Sequence, residues 1–207
     1  MVKDVARNIR IFGSQVRTLS IFGIASLFIR SLFKLERISI YSKELDTPIN
    51  GSTEDSGFAN FIIKGNPDEL EKARQGTQQP PWEFCSDLYD GVKDFFIYKN
   101  NGAIGHISWI YYKNDPNRII ELNDDEGEIK YSLTLPQFRG KGIYPAALIK
   151  VQRYLKEHGY KRVYICVEHD NLPSIKGIEK AGFTFITSVN LIKIAGVQLS
   201  KKYAASH

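Results

Sequence analysis

The chain has 207 residues, of which 43% are hydrophobic, 12% aromatic and 25% charged, with a formal charge of +5. That length and apolar content build one good core and would leave two independent domains crowded. Cys85 and Cys166 lie far apart with no CxxC spacing, and the four histidines lack zinc-ligand spacing, so both thiols read as reduced and a metal is not expected.

Charge is unevenly placed. Residues 1–37 hold seven Lys or Arg against two Asp or Glu, whereas the rest of the chain carries 21 of each sign. The domain division expected is therefore a basic appendage over 1–37 and a neutral domain over 38–207. Within the appendage, Leu19 to Ile29 is apolar for only 11 residues and contains Ser20, Gly23 and Ser26. A membrane span needs about 20 such residues. Arg30 and Phe33 stand where a secretory signal would carry small residues.

From Leu27 to Arg37 helical spacing sets Arg30, Lys34 and Arg37 on one face and Phe28, Leu32 and Leu35 broadly opposite. That pattern suits a helix lying on an anionic membrane surface, and equally one packed on the domain or on a second protomer in a homodimer. No nucleic-acid partner is expected, since the appendage has no recognition motif and its aromatics are all Phe.

Ile38 to Lys43 alternates as a first strand, and Asp46 to Gly57 is a polar loop. Asn66-Pro67-Asp68-Glu69 starts a helix to about Arg74, with Asn66 as N-cap and Glu69 placed for a capping box. After Pro80-Pro81, residues 83–89 form a short helix. Strands at Asp94–Tyr98 and Ala103–Tyr112 flank Asn100-Asn101-Gly102, a hairpin signal. Asn114 to Gly127 is a polar excursion before a strand over Ile129 to Leu135. A helix over Ile143 to His158 carries Tyr144, Leu148, Val151 and Leu155 on one face. A buried strand over Lys161 to Glu168 precedes a short helix, with Pro173 in its first turn and Gly182 at its end. Antiparallel strands first and a parallel β-α-β unit later predict a mixed α/β sheet with helices on both faces.

Between the strand ending at Leu135 and the helix starting at Ile143 lies Gln137-Phe138-Arg139-Gly140-Lys141-Gly142. Two glycines let such a turn converge several N–H groups at a helix N-terminus, a site for pyrophosphate, and Arg139 and Lys141 add charge. No Ser or Thr follows the Lys in the manner of a Walker loop, and Pro145 stands where a dinucleotide fingerprint needs its third glycine.

QFRGKG, with its preceding strand and following helix, resembles the Q/R-x-x-G-x-G/A motif of the GNAT acyltransferase superfamily. The downstream Asn171, the short helix and the terminal Gly182-Phe183 are similar to that family in type and spacing. The resemblance covers about Arg37 to Leu199 and is specific from Ile129 to Phe183. It implies a mixed, mostly antiparallel GNAT-like sheet and acyl-CoA, in particular acetyl-CoA, as co-substrate. The acyl group would pass directly to a primary amine.

The resemblance also implies roles. Backbone groups of Leu133, Thr134 and Leu135 would hold the pantetheine and the thioester carbonyl. The pyrophosphate would sit on Gln137, Phe138, Arg139, Gly140, Lys141, Gly142 and Ile143, chiefly on N–H groups from Arg139 to Ile143, and Asn171 and Ser174 would contact the pantetheine. The Tyr that many relatives use as general acid is replaced by Ile178. Tyr144 or Tyr131 would substitute, or water would. Glu128 is the expected base, with His106 the runner-up, while Glu168 and His169 would line the acceptor pocket. The motif without its Tyr, together with the basic helix, is similar to members associated with bacterial surface polysaccharide synthesis. That suggests an amino sugar acceptor and a cytoplasmic protein at the inner face of the membrane. A protein, peptide or polyamine acceptor, and a non-catalytic acyl-CoA-binding protein, are the competing readings.

Overall fold

A computed structural model describes residues 33–49, 57–116, 119–194 and 197–203. Strand β1 runs from Phe33 to Glu44, beginning inside the segment whose spacing predicts an amphipathic helix to Arg37. His169 N–H donates to Arg37 O at 2.9 Å, a long-range bond that the local helical spacing does not signal. The rest of the expected appendage, including the apolar run Leu19 to Ile29, lies outside the described residues. Among the described residues, no helix is long and apolar enough to cross a membrane.

The described residues form two units, one with 40–167 and 171–186, the other with 33–39, 168–170, 187–194 and 197–203. The larger unit opens with a 3-10 turn at Ala59–Phe61 and strand β2 (Ile62–Lys64), both too short to leave a periodic signal in sequence. Helix α1 (Pro67–Gln75) starts as its residues dictate: Asn66 Oδ1 accepts the Asp68 N–H at 2.8 Å and Pro67 occupies the first helical position. Glu69 does not close a capping box. Its carboxylate takes Lys99 Nζ at 2.6 Å instead. In place of one helix over 83–89 there is a 3-10 turn, Trp82–Cys85, followed by α2 (Ser86–Asp90).

Strands β3 (Asp94–Asn100) and β4 (Ala103–Tyr111) form the expected hairpin, with Asn101 and Gly102 at φ of 47° and 82° in the turn. Strand β5 (Glu126–Thr134) begins earlier than the 129–135 expected, and a 3-10 turn at Pro136–Phe138 leads to α3 (Ile143–Glu157). Strand β6 (Arg162–Glu168), α4 (Leu172–Lys180) and strand β7 (Thr184–Ile194) follow. Within the larger unit the strand order is β2-β3-β4-β5-β6. Strands β2 to β5 pair antiparallel and β5 with β6 parallel, giving the mixed, mostly antiparallel sheet expected.

Two cores flank this sheet. Leu148, Val151 and Leu155 of α3, each fully buried, pack with Ile110, Ile129, Val163 and Ile165. Leu70 of α1, Phe84, Ile97, Trp109 and Tyr111 pack on the other face. Each such side chain contributes about 2 kcal/mol of transfer free energy, so both helical layers are anchored by burial. In the smaller unit, β7 and strand β8 (Val197–Tyr203) pair antiparallel from Val189 and Tyr203 to Ile194 and Val197. His169 Nδ1 lies 2.9 Å from Ser39 Oγ there.

Candidate active site

Strand β5 changes partner geometry along its length. Its parallel pairing with β6 runs from Glu126–Arg162 to Ile129–Ile165. Immediately beyond, the β4 register jumps: Ile107 faces Leu133 while Trp109 faces Lys130, so β5 holds one extra residue opposite Ser108. Tyr131, inside this bulge, has φ of 48°, a left-handed conformation that costs a non-glycine residue about 1–3 kcal/mol. Bulge and strain lie where the pairing with β6 stops. The C-terminal half of β5 thus keeps β4 as its partner, parts from β6 and leads toward the glycine turn.

That turn is open at its glycines. Gly140 and Gly142 have φ of 74° and 80°, and no atom lies within 4 Å of where a Cβ would stand on either. Gly142 is the N-cap of α3 and no side chain caps the helix, so its first N–H groups and the positive end of its dipole face outward. The residues therefore fit a pyrophosphate.

The neighbours have more divided roles than the sequence implies. Arg139 N–H already donates to Pro136 O at 3.2 Å, which moves the cradle to Gly140 through Tyr144. Arg139 Nε donates to Thr134 O at 3.0 Å, clipping the turn to the end of β5. Leu135 N–H is taken by Gly105 O at 3.0 Å. Leu133 faces Ile107 two residues along the same ladder, so of the backbone groups expected to hold a pantetheine the Thr134 N–H lies on the edge away from β4. Phe138 is an anchor: its ring lies 5.7 Å from Tyr98, and a Cβ on Gly105 would come within 2.8 Å of it. Gln137 and Lys141 are exposed, Lys141 Nζ standing 5.5 Å above the Phe138 ring.

Beneath the bulge the structure joins three expected site residues. Thr134 Oγ1 lies 2.7 Å from His106 Nδ1, and His106 Nε2 lies 2.8 Å from Ser108 Oγ. Ser108 Oγ is 2.7 Å from Ser132 Oγ, and the Ser132 hydroxyl stands beside the Tyr144 phenol. The His106 and Tyr144 rings are 5.8 Å apart. Burial lowers the His106 pKa to about 3, so the imidazole is neutral at physiological pH and is no base poised near 7. Burial also pushes the Tyr144 phenol well above its ordinary range, with Ser132 pulling it partway back.

Glu128 is apart from that cluster. It is fully buried in the closed part of the sheet, opposite Tyr111 on β4 and Tyr164 on β6. Toward the bulge on the α1 side, Tyr131 meets Trp82 edge to face at 4.7 Å, and Trp82 is 43% exposed. The Trp82–Cys85 turn is fixed from below. Arg74 donates Nε to Phe84 O at 2.9 Å and holds both oxygens of Asp87, while Trp109 Nε1 donates to Glu83 O at 2.6 Å.

On α4, Asn171 is the N-cap, its Oδ1 accepting the Ser174 N–H at 3.3 Å, which leaves its amide nitrogen to donate elsewhere. Ile178, at the usual acid position, is fully buried in the core. Ser108, Ser132, Gly105 and Gly177 were not expected as site residues. A signal existed for Ser108, the one serine in the largely apolar run Ile104 to Tyr111.

A family model described as an acetyltransferase (GNAT) domain matches residues 52–184, more than half of the chain. The Bacillus subtilis (strain 168) protein YjdG, described as an uncharacterized N-acetyltransferase, is 33% identical over 108 residues. That alignment spans 47% of this chain and 64% of the relative, just under two thirds of its length. Among solved structures, a GNAT-family acetyltransferase from Colwellia psychrerythraea matches with a TM-score of 0.53 at 14% identity, over 88% of this chain and 63% of that one. A GCN5-related glucosamine N-acetyltransferase region of a fungal multi-domain β-N-acetylglucosaminidase matches with a TM-score of 0.57 at 14% identity, over 83% of this chain and 22% of that one. At these identities the structural likeness is one of fold.

Proposed function

We propose, from the premise that this chain belongs to the GNAT acetyltransferase family, that it transfers an acetyl group from acetyl-CoA directly to a primary amine. The observation that carries this reading is the uncapped N-terminus of α3, with Gly140 and Gly142 open around it, at the end of a strand that parts from its neighbour. N–H groups from Gly140 to Tyr144 would hold the pyrophosphate, with Lys141 adding charge. The Thr134 N–H, on the edge of β5 away from β4, would hold the pantetheine, and Asn171 and Ser174 would do so through their side chains. Bound acetyl-CoA supplies the activated acyl carbon as a thioester. Glu128, buried behind the bulge, would take the amine proton through water, and Tyr144 would deliver a proton to the leaving sulfur.

For the acceptor, the reading is an amino sugar of a surface-glycan precursor. Its support is the likeness of the motif to polysaccharide-associated members and the exposed Trp82 beside the strained Tyr131, a flat apolar surface next to the reaction site. The likeness to a fungal glucosamine N-acetyltransferase region adds only that this fold is found with that activity. A protein, peptide or polyamine acceptor is the second reading. Thiol release from acetyl-CoA, followed across amino sugars, peptides and polyamines with mass analysis of the product, tests both. Turnover on an amino sugar supports the first reading, and turnover confined to peptides or polyamines replaces it. No turnover on any amine favours an acyl-CoA-binding protein without catalysis.

Residues 1–32, basic and apolar together, would lay the enzyme on the anionic inner face of a membrane. Packing on a second protomer is the competing use of the same segment.

A further inference from the structure

Thr134, His106, Ser108 and Ser132 form an unbroken line of hydrogen bonds, at 2.7, 2.8 and 2.7 Å, whose last hydroxyl stands beside the Tyr144 phenol and favours its ionised form. Every member can donate and accept at once. A hydroxyl gives one proton and takes another, and a neutral imidazole donates from one ring nitrogen while accepting at the other. His106 and Ser108 are fully buried, whereas Thr134 is half-buried at the open end of β5. Buried polar groups cost free energy even when paired, and packing alone would be served as well by apolar side chains. A row of five such groups running from the strand's open end to one phenol therefore calls for a purpose.

We propose that this line is a proton relay that returns to Tyr144 the proton it gives to the leaving sulfur, drawing the replacement from water at Thr134. The relay rests on the reading of Tyr144 as general acid in the proposed acyl transfer. In that step the amine nitrogen bonds the acyl carbon as the carbon–sulfur bond breaks, its electron pair staying on sulfur. The amine's proton leaves through Glu128, and the Tyr144 O–H gives its proton to sulfur. The phenolate then takes a proton from Ser132, Ser132 from Ser108, and Ser108 from His106 Nε2. His106 Nδ1 takes one from Thr134, and water refills Thr134. The hydroxide that this water leaves is neutralised by the amine's proton, which Glu128 returns to solvent, so no net charge is left behind, and each hydrogen bond ends reversed. A protonated His106 would donate from both nitrogens and break the line, and its burial keeps it neutral.

The test begins with wild-type turnover and CoA calorimetry. Absence of turnover on any amine overturns the acyl-transfer reading and the relay with it. With turnover in hand, Ser132→Ala and Ser108→Ala should each lower kcat about 10-fold to 100-fold while CoA affinity stays within twofold. Ser132→Thr, which keeps the hydroxyl, should restore kcat to within about threefold. In the ligand-free protein, 15N NMR should show His106 as a neutral tautomer whose proton position changes in Ser108→Ala. A wild-type proton inventory should be curved, reporting several protons in flight. Alanine variants within twofold of wild-type kcat, a Thr variant no better than Ala, or an unchanged tautomer in Ser108→Ala would overturn the relay alone. Should an alanine variant fail to fold, a linear wild-type proton inventory would still overturn it.

Discussion

Gly177 of α4 lies so close to Tyr144 of α3 that a Cβ on it would stand 2.7 Å from Tyr144 Cδ1. The glycine thus sets where the phenol sits. Gly177→Ala should remove about 1 kcal/mol of helix penalty and add about 1–3 kcal/mol of overpacking. The net is a loss of about 0–2 kcal/mol, so the fold should survive while the ring is pushed aside. A kcat loss of about tenfold with a melting temperature within a few degrees is expected, and kinetics beside thermal denaturation checks it.

Gly140 separates backbone strain from charge. Its φ of 74° means that any side chain costs about 1 kcal/mol, yet open space around it means that nothing clashes. Gly140→Ala should therefore weaken CoA binding mildly. Gly140→Asp should weaken it by about 100-fold or more, since a carboxylate would stand where phosphate must bind. Both variants should remain folded by circular dichroism. Equal effects of Ala and Asp would show that backbone conformation alone is at stake.

Glu128→Gln should lower kcat by about 100-fold to 10,000-fold while CoA affinity is unchanged, because a base acts on the amine and not on the co-substrate. Steady-state kinetics with calorimetry checks this. An unaltered kcat would take Glu128 out of the chemistry and leave it a buried structural carboxylate.

His106 carries a stability signature independent of activity. Its folded pKa, about 3, lies below the ordinary histidine value of 6.5, so the unfolded chain binds a proton that the folded one refuses. This residue's contribution is therefore full above about pH 6.5 and is lost as pH falls toward 3, at about 1.4 kcal/mol per unit. Between pH 7 and 5 the loss is about 2 kcal/mol. Urea titrations at the two pH values should show that difference for the wild type and not for His106→Gln.

The glycine turn, the Asn66 cap and the Asn101-Gly102 hairpin were legible because each depends on residues adjacent in sequence. The β1 start was not, because helical spacing of Leu32 and Leu35 is local whereas the bond from His169 to Arg37 spans the chain. The same holds for the site. His106, Tyr144 and Thr134 stood out singly, but Ser108 and Ser132 link them only through a bulge in β5 that no local pattern signals. Arg139 was expected as a phosphate ligand from its charge, and its bond to Thr134 O comes from the turn's three-dimensional closure.

If residues 1–32 form a membrane-surface anchor, full-length protein should float with vesicles containing anionic lipid and come off as salt rises. Removing residues 1–32, and not the strand residues from Phe33 onward, should abolish flotation and leave CoA binding intact. Aggregation of the truncated chain, with no flotation of the full chain at low salt, would assign the segment to packing.

Calorimetric titration of the full-length wild-type chain with CoA tests the account most directly, because every proposed role depends on the Gly140–Tyr144 cradle. A saturable one-site isotherm, with Kd in the micromolar range or about −8 kcal/mol, is predicted. No heat of binding at millimolar CoA, weaker than about −4 kcal/mol, would contradict it.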